Sequence, residues 1–298
     1  MDGTHPSRDA AGKLNPRLAG MFKSYSKADP PPEQVKPIPV QLLEHAIARL
    51  SSTDFRKALA DLIVIGFFFL LRPGEHTFCS ADNTPFTLQD VSFVTPSGTF
   101  NAATIDLDLL SAATKVHLNF TNQKNGVKNE AITHGFNSHP FLCPLKAVRR
   151  RVRHLRAHQA LPTTPLHTVF ASDNTRTQHI TDADITAALR DSCVSIGDSL
   201  GIQPSDISAR ALRAGGAMAL LRAGVADSSI RLLGRWKSWA MLEYLHKSAS
   251  DTTGYASRML ACGSYTLNIH KSTAAAVTDL LPAPILMTTS PLPGLCLA

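Results

Sequence analysis

The longest apolar run of this chain, Leu62 to Leu71 (LIVIGFFFLL), stops abruptly at Arg72-Pro73-Gly74-Glu75. A helix through Leu62, Ile65 and Phe69, capped at Ser52 or Asp54, is apolar nearly all round in its later turns. Such a helix must be surrounded, which predicts a central element against which the other elements pack. The run is about half of what a bilayer demands, so it reads as core and not as a membrane span. Pro73 biases Arg72 towards extended backbone and suits the first position of a new short helix, so a cation is expected to be held firmly where the buried helix ends.

Other elements fall in order around this helix. Residues 1–37 are rich in Pro, Lys, Ser and Asp and close with Pro30-Pro31-Pro32 and Pro37, the composition of an arm or linker. Val40, Leu42, Leu43, Ala46, Ile47 and Leu50 recur at helical spacing. Strand-like stretches follow at Val91–Val94, Ala103–Leu107, Val116–Phe120 and Ala131–Thr133, and Lys124-Asn125-Gly126 forms a turn whose hairpin tip carries Lys124 and Lys128. Helices resume at Pro144 and again over Asp182–Leu200, the second closed by Gly201 and Pro204. The expected fold is mainly α with a small antiparallel β-sheet, with one domain over residues 38–262. Residues 263–298 lack a sustained period and read as a disordered tail.

Charge and cysteine usage narrow the setting. A formal charge of +7 and a pI near 9.3 favour a polyanionic partner. The five cysteines stand singly, which fits a reducing compartment, and the polar first thirty residues lack an apolar signal core, so the chain is expected inside a cell and off the membrane. His154 and His158 have the i,i+4 spacing of a helical metal site but no acidic companion, so no metal centre is expected. There is no glycine-rich loop with a lysine, and a nucleotide cofactor is not indicated.

The chemistry-bearing segment is residues 208–246, which groups Arg210, Arg213, Arg235 and Tyr244. Guanidinium groups grip phosphate oxygens through a planar fork, and a tyrosine beside them can attack phosphorus. A helix capped at Ser208 and stopped at Gly224 would place Arg210 and Arg213 near its start on one face, where a helix N-terminus already favours phosphate. Taken singly, each arginine also fits a solvated surface, and Tyr244 also fits a half-buried core. A second basic group, Lys146, Arg149, Arg150, Arg153 and Arg156, makes a stripe beside the apolar stripe Leu145, Val148, Val152 and Leu155. That stripe is either a solubilising surface or a track of phosphate contacts along a duplex.

Read in order, Leu71-Arg72-Pro-Gly-Glu75, Lys124 in a hairpin, Arg210-Ala-Leu-Arg213 with Gly215-Gly216-Ala217, Leu233-Gly-Arg-Trp236 and Tyr244 resemble the catalytic domain of the tyrosine recombinases, or phage-type integrases. The form Leu-Arg-Ala-Gly-Gly-Ala followed by Leu-Gly-Arg-Trp-Lys-Ser looks most like recombinases of eukaryotic mobile elements of the DIRS and Crypton kinds. The resemblance covers about residues 38 to 260. It implies the integrase catalytic-domain fold, double-stranded DNA as partner, self-association on DNA, a nuclear location in a eukaryote, and a reaction without metal or nucleotide cofactor. In that reaction Tyr244 forms a 3′-phosphotyrosyl link, Arg72 and Arg213 bind the non-bridging oxygens, Lys124 protonates the leaving 5′-oxygen, and Glu75 orients Arg72.

The sequence departs from the family in three places. Arg210 stands where a histidine is usual, and Arg235 stands nine residues before Tyr244, where histidine or tryptophan is usual, with Trp236 one step on. An arginine is no base near neutral pH, so the expectation is an impaired recombinase or a non-catalytic DNA-binding derivative. The arm 1–37 is also too short to be the family's separate N-terminal clamping domain. A helical scaffold whose cations meet an acidic protein is the reading outside nucleic acids.

Overall fold

In a computed structural model, residues 36–236 are described, apart from 51, 81–82, 122–129 and 172–175; Leu18 and Met21 are described as well. The helices are α1 (Val40–Ala48), α2 (Asp54–Phe68), α3 (Pro73–His76), α4 (Leu107–Ser111), α5 (Pro144–Ala157), α6 (Asp182–Leu200), α7 (Ala211–Arg222) and α8 (Asp227–Leu233). The strands are β1 (Val91–Thr95), β2 (Gly98–Asn101), β3 (Lys115–Phe120), β4 (Glu130–Gly135), β5 (Thr168–Phe170) and β6 (Thr177–His179). The fold is mainly α with a small antiparallel sheet.

The apolar run makes α2 the central helix, with every residue from Ala58 to Phe67 buried. Its cap is Thr53, whose hydroxyl accepts the Arg56 amide at 3.2 Å, in place of the neighbours Ser52 or Asp54. The extended backbone of Thr53 aims its oxygen at the third helical amide. Helices α5 and α7 pack on α2, and α6 packs on α1. The close approach of α7 explains one glycine of the Gly215-Gly216 pair: a Cβ at Gly216 would lie 2.3 Å from the carbonyl oxygen of Phe67 on α2. Backbone therefore sits against backbone where α7 carries Arg213 past the central helix.

The four-stranded sheet runs β2-β1-β3-β4, all antiparallel, with Val91 opposite Leu118 and Leu118 opposite Ile132. Its buried face carries Val91, Phe93, Val116, Leu118 and Phe120. The strand expected over Ala103–Leu107 is not formed. The Asn101 side chain accepts the Ala103 amide at 2.9 Å and turns the chain, and Asp106 then caps α4 by accepting the Asp108 amide at 2.8 Å. Local side-chain acceptors have displaced the β ladder there. The hairpin tip with Lys124 and Lys128 lies outside the described residues, as do Tyr244 and the tail 263–298.

Helix ends recur in one pattern. At α2, Leu71 N–H donates to Gly66 C=O and Leu70 N–H to Phe67 C=O, with Leu70 in left-handed backbone at φ +50°. The same double bond with a left-handed residue closes α5 at Gln159 (φ +54°), α6 at Gly201 (φ +68°), α7 at Gly224 (φ +79°) and α8 at Arg235 (φ +58°). Glycine is the usual occupant because other residues pay a steric penalty there, yet three of these five positions are not glycine.

The basic stripe of α5 faces the protein's own neighbours. Arg149 donates to Ala113 C=O at 2.7 Å, Arg150 to the buried carboxylate of Asp61 on α2 at 2.8 Å through Nε, Arg153 to Ser111 Oγ, and Arg156 to Ile105 C=O. Lys146 lies over the Phe136 ring at 5.1 Å. Arg151, off the stripe, is 2% exposed and donates to the carbonyls of Leu166 and Thr168.

Candidate functional site

Arg72 takes the extended backbone that Pro73 imposes, with φ −74° and ψ 151°, and stands at the N-cap of α3. One turn on, Glu75 folds back: its carboxylate accepts the Arg72 amide at 2.8 Å and Arg72 Nη1 at 3.1 Å. The Arg72 carbonyl accepts a hydrogen bond from His76 Nδ1 at 3.0 Å, which sets the His76 tautomer because a carbonyl has no proton to give. His76 is 1% exposed, and burial holds its pKa down at about 4, so the ring is neutral at pH 7. Arg72 is thus fixed through backbone and side chain while its own side chain stays about one-third exposed.

Arg213 reaches the same place from α7, which starts at Ala211 and not at Ser208. Ala211 N–H first closes a turn on Ser208 C=O at 2.9 Å, and Arg210 becomes the N-cap. Arg213 is buried, donates to Gly234 C=O at 2.5 Å, and stacks on the Trp236 ring, with Cζ 4.3 Å from the centroid. Arg210 is exposed. Arg72, Glu75, Arg210, Arg213 and Trp236 together line one cleft of about 1330 Å³. That exceeds the usual span of small-molecule pockets, roughly 300–1,000 Å³, and suits a polymer better than a small metabolite.

Arg235 is not among the residues lining the cleft. Its left-handed backbone turns the side chain inward, where it donates to Leu70 C=O at 3.1 Å, Phe69 C=O at 3.3 Å, Leu233 C=O at 3.0 Å and Glu75 Oε2 at 3.0 Å. Its guanidinium lies 4.1 Å from the centre of the Phe120 ring. A cation at the carbonyl end of α2 is favoured by the helix dipole. Burial pulls the Arg235 guanidinium below its usual range, and the Glu75 charge opposes that shift.

The cleft is also lined by residues that helix and strand periodicity do not single out. Asp90 accepts the Thr87 amide at 2.9 Å, the Thr87 hydroxyl at 2.6 Å and the Thr121 hydroxyl at 3.1 Å, and it borders the cleft. The Thr-x-x-Asp spacing of Thr87 and Asp90 is its only sequence sign. None of Lys146, Arg149, Arg150, Arg153 and Arg156 lines the cleft. Among the described residues no group of three His, Cys, Asp or Glu side chains is placed to hold a metal ion, and no helix is long and apolar enough to cross a membrane.

No protein-family model and no curated protein matches the sequence. Solved structures with a similar course include the Tn1549 transposon integrase in complex with circular intermediate DNA. That likeness has 15% identity, covers 80% of this chain and 75% of that one, and has a TM-score of 0.40. The XerA recombinase is similar at 15% identity, covering 81% of this chain and 72% of that one, with a TM-score of 0.42.

Proposed function

We propose that this protein is a DNA-binding member of the tyrosine recombinases that cuts and rejoins DNA through a 3′-phosphotyrosyl intermediate. The observation that carries the reading is the meeting of Arg72 and Arg213, 141 residues apart in sequence, at one cleft beside Trp236, eight residues before Tyr244. Two guanidinium groups at one open cleft suit a phosphodiester, whose non-bridging oxygens accept a fork of donors.

In this reading Tyr244 Oη attacks phosphorus and the bond from phosphorus to the 5′-oxygen breaks. Lys124 delivers a proton to that leaving oxygen, and the charge growing on the non-bridging oxygens is met by Arg72 and Arg213. The 5′-hydroxyl of a partner strand then attacks the phosphotyrosine and releases Tyr244. No metal or nucleotide enters the scheme. Several protomers act together on the duplex, in the nucleus of a host whose mobile elements are of the DIRS or Crypton kind. Lys128 adds phosphate contacts, as do Arg150 and Arg153, the stripe residues of α5 that stay exposed beside their internal partners.

A second reading is favoured by Arg210, which is exposed at the cleft where a proton acceptor is usual. A phosphate pocket that lacks this base binds DNA without turning it over. A nicked duplex incubated with the protein and run on a denaturing gel separates the two. A covalent protein–DNA band lost in Tyr244→Phe supports recombination; salt-sensitive binding weakened by Arg213→Ala and untouched by Tyr244→Phe, with no such band, supports the binding derivative. Failure to bind any duplex at low salt would remove both and leave an acidic protein as the partner.

A further inference from the structure

Gly234, Arg235 and Trp236 link two arginines of the cleft: Gly234 and Trp236 touch Arg213, and Arg235 reaches Arg72 through Glu75. Gly234 accepts Arg213 Nη2 through its carbonyl, and Trp236 stacks on the Arg213 guanidinium. Between them, Arg235 grips Glu75, whose carboxylate holds the backbone and side chain of Arg72. The Arg235 side chain is 1% exposed and is also bonded to the carbonyls of Phe69 and Leu70, just past the end of α2. We infer that Arg235 is a positioning residue: acting through Glu75, it sets Arg72 in register with Arg213 and does not itself touch the phosphate.

The inference deepens the phosphate-binding reading and rests on it for its affinity readout. The Arg235 side chain ties the end of α8 to the end of α2, where Leu233 also packs on the core, so the spacing of the two arginines depends on that docking.

The test is a double-mutant cycle in the full chain, read by binding to a nicked DNA duplex at fixed salt. Arg235→Lys keeps the charge and loses the fork, and it is expected to weaken binding about tenfold, the scale of one charge-assisted hydrogen bond. In an Arg72→Ala background the same substitution is expected to change affinity less than about twofold, because additivity fails for residues that act through one another. Glu75→Gln should behave like Arg235→Lys. Full additivity of Arg235→Lys with Arg72→Ala would overturn the inference and mark Arg235 as an independent contact.

A second measurement needs no DNA. The ¹⁵N resonance of Arg72 Nε is expected to move in both Arg235→Lys and Glu75→Gln, and its indifference to both would also overturn the inference. A wild type that binds no duplex while that resonance moves would refute the phosphate reading and leave the positioning relay standing.

Discussion

A Cβ built on Gly234 would lie 1.5 Å from Cζ3 of Trp236, so this position has room for hydrogen alone while the indole covers Arg213. Gly234→Ala is therefore expected to push Trp236 off the guanidinium and to weaken duplex binding by up to about thirtyfold, since a desolvated cation–aromatic contact is worth ~2 kcal/mol. Indole fluorescence in a Trp239→Phe background checks the displacement, and an unchanged emission spectrum with unchanged affinity would contradict it. At this scale the motifs were legible in part. Arg72 and Arg213 stand out because a proline and a glycine pair mark them. The inward turn of Arg235 was not legible, because its left-handed backbone falls on a residue that carries no sign of it, and its partners Phe69, Leu70 and Glu75 lie 160 or more positions away.

Helix stops show the same limit at the scale of elements. Gly201 and Gly224 announce the ends of α6 and α7, whereas Leu70 and Gln159 take left-handed backbone without any such mark. The two respond in opposite directions to glycine. Gln159 is exposed, and Gln159→Gly is expected to stabilise the protein by about 1 kcal/mol through relief of the left-handed penalty. Leu70 is 0% exposed, and Leu70→Gly is expected to cost about 2 kcal/mol, because the lost core packing outweighs the same relief. Urea unfolding of both variants checks the opposite signs. The α5 stripe gives a second case: amphipathicity located the helix, but not that its cations turn to α2, α4 and their flanks. Arg150→Ala strands the Asp61 carboxylate, 3% exposed, and is expected to cost about 3 kcal/mol, with Asp61→Asn in the same chain recovering most of it. Equal stability of the single and double variants would reject that account.

Across the whole molecule, buried titratable groups set how folding responds to acid. Burial holds His76, His154 and His167 near pKa 4, below the ordinary 6.5. The unfolded chain therefore takes up protons on these rings first, and the stability they carry is full above pH 6.5 and is lost as pH falls through 4. Asp61 has the opposite sign. Burial lifts it from 3.8 to about 6 in spite of Arg150, so its term favours the folded chain below 3.8 and is lost as pH rises through 6. For the two most buried groups the terms are each about 3 kcal/mol and largely cancel between pH 6 and 4. His154 and His167 then decide the net direction, and the protein is expected to be less stable at pH 4.5 than at pH 7. Asp61→Asn removes the compensating term, so its loss of stability over that interval should be steeper than that of the parent chain. Urea midpoints at pH 7, 5.5 and 4.5 for both proteins test this, and a parent chain that grows more stable on acidification would show that Asp61 outweighs the three histidines.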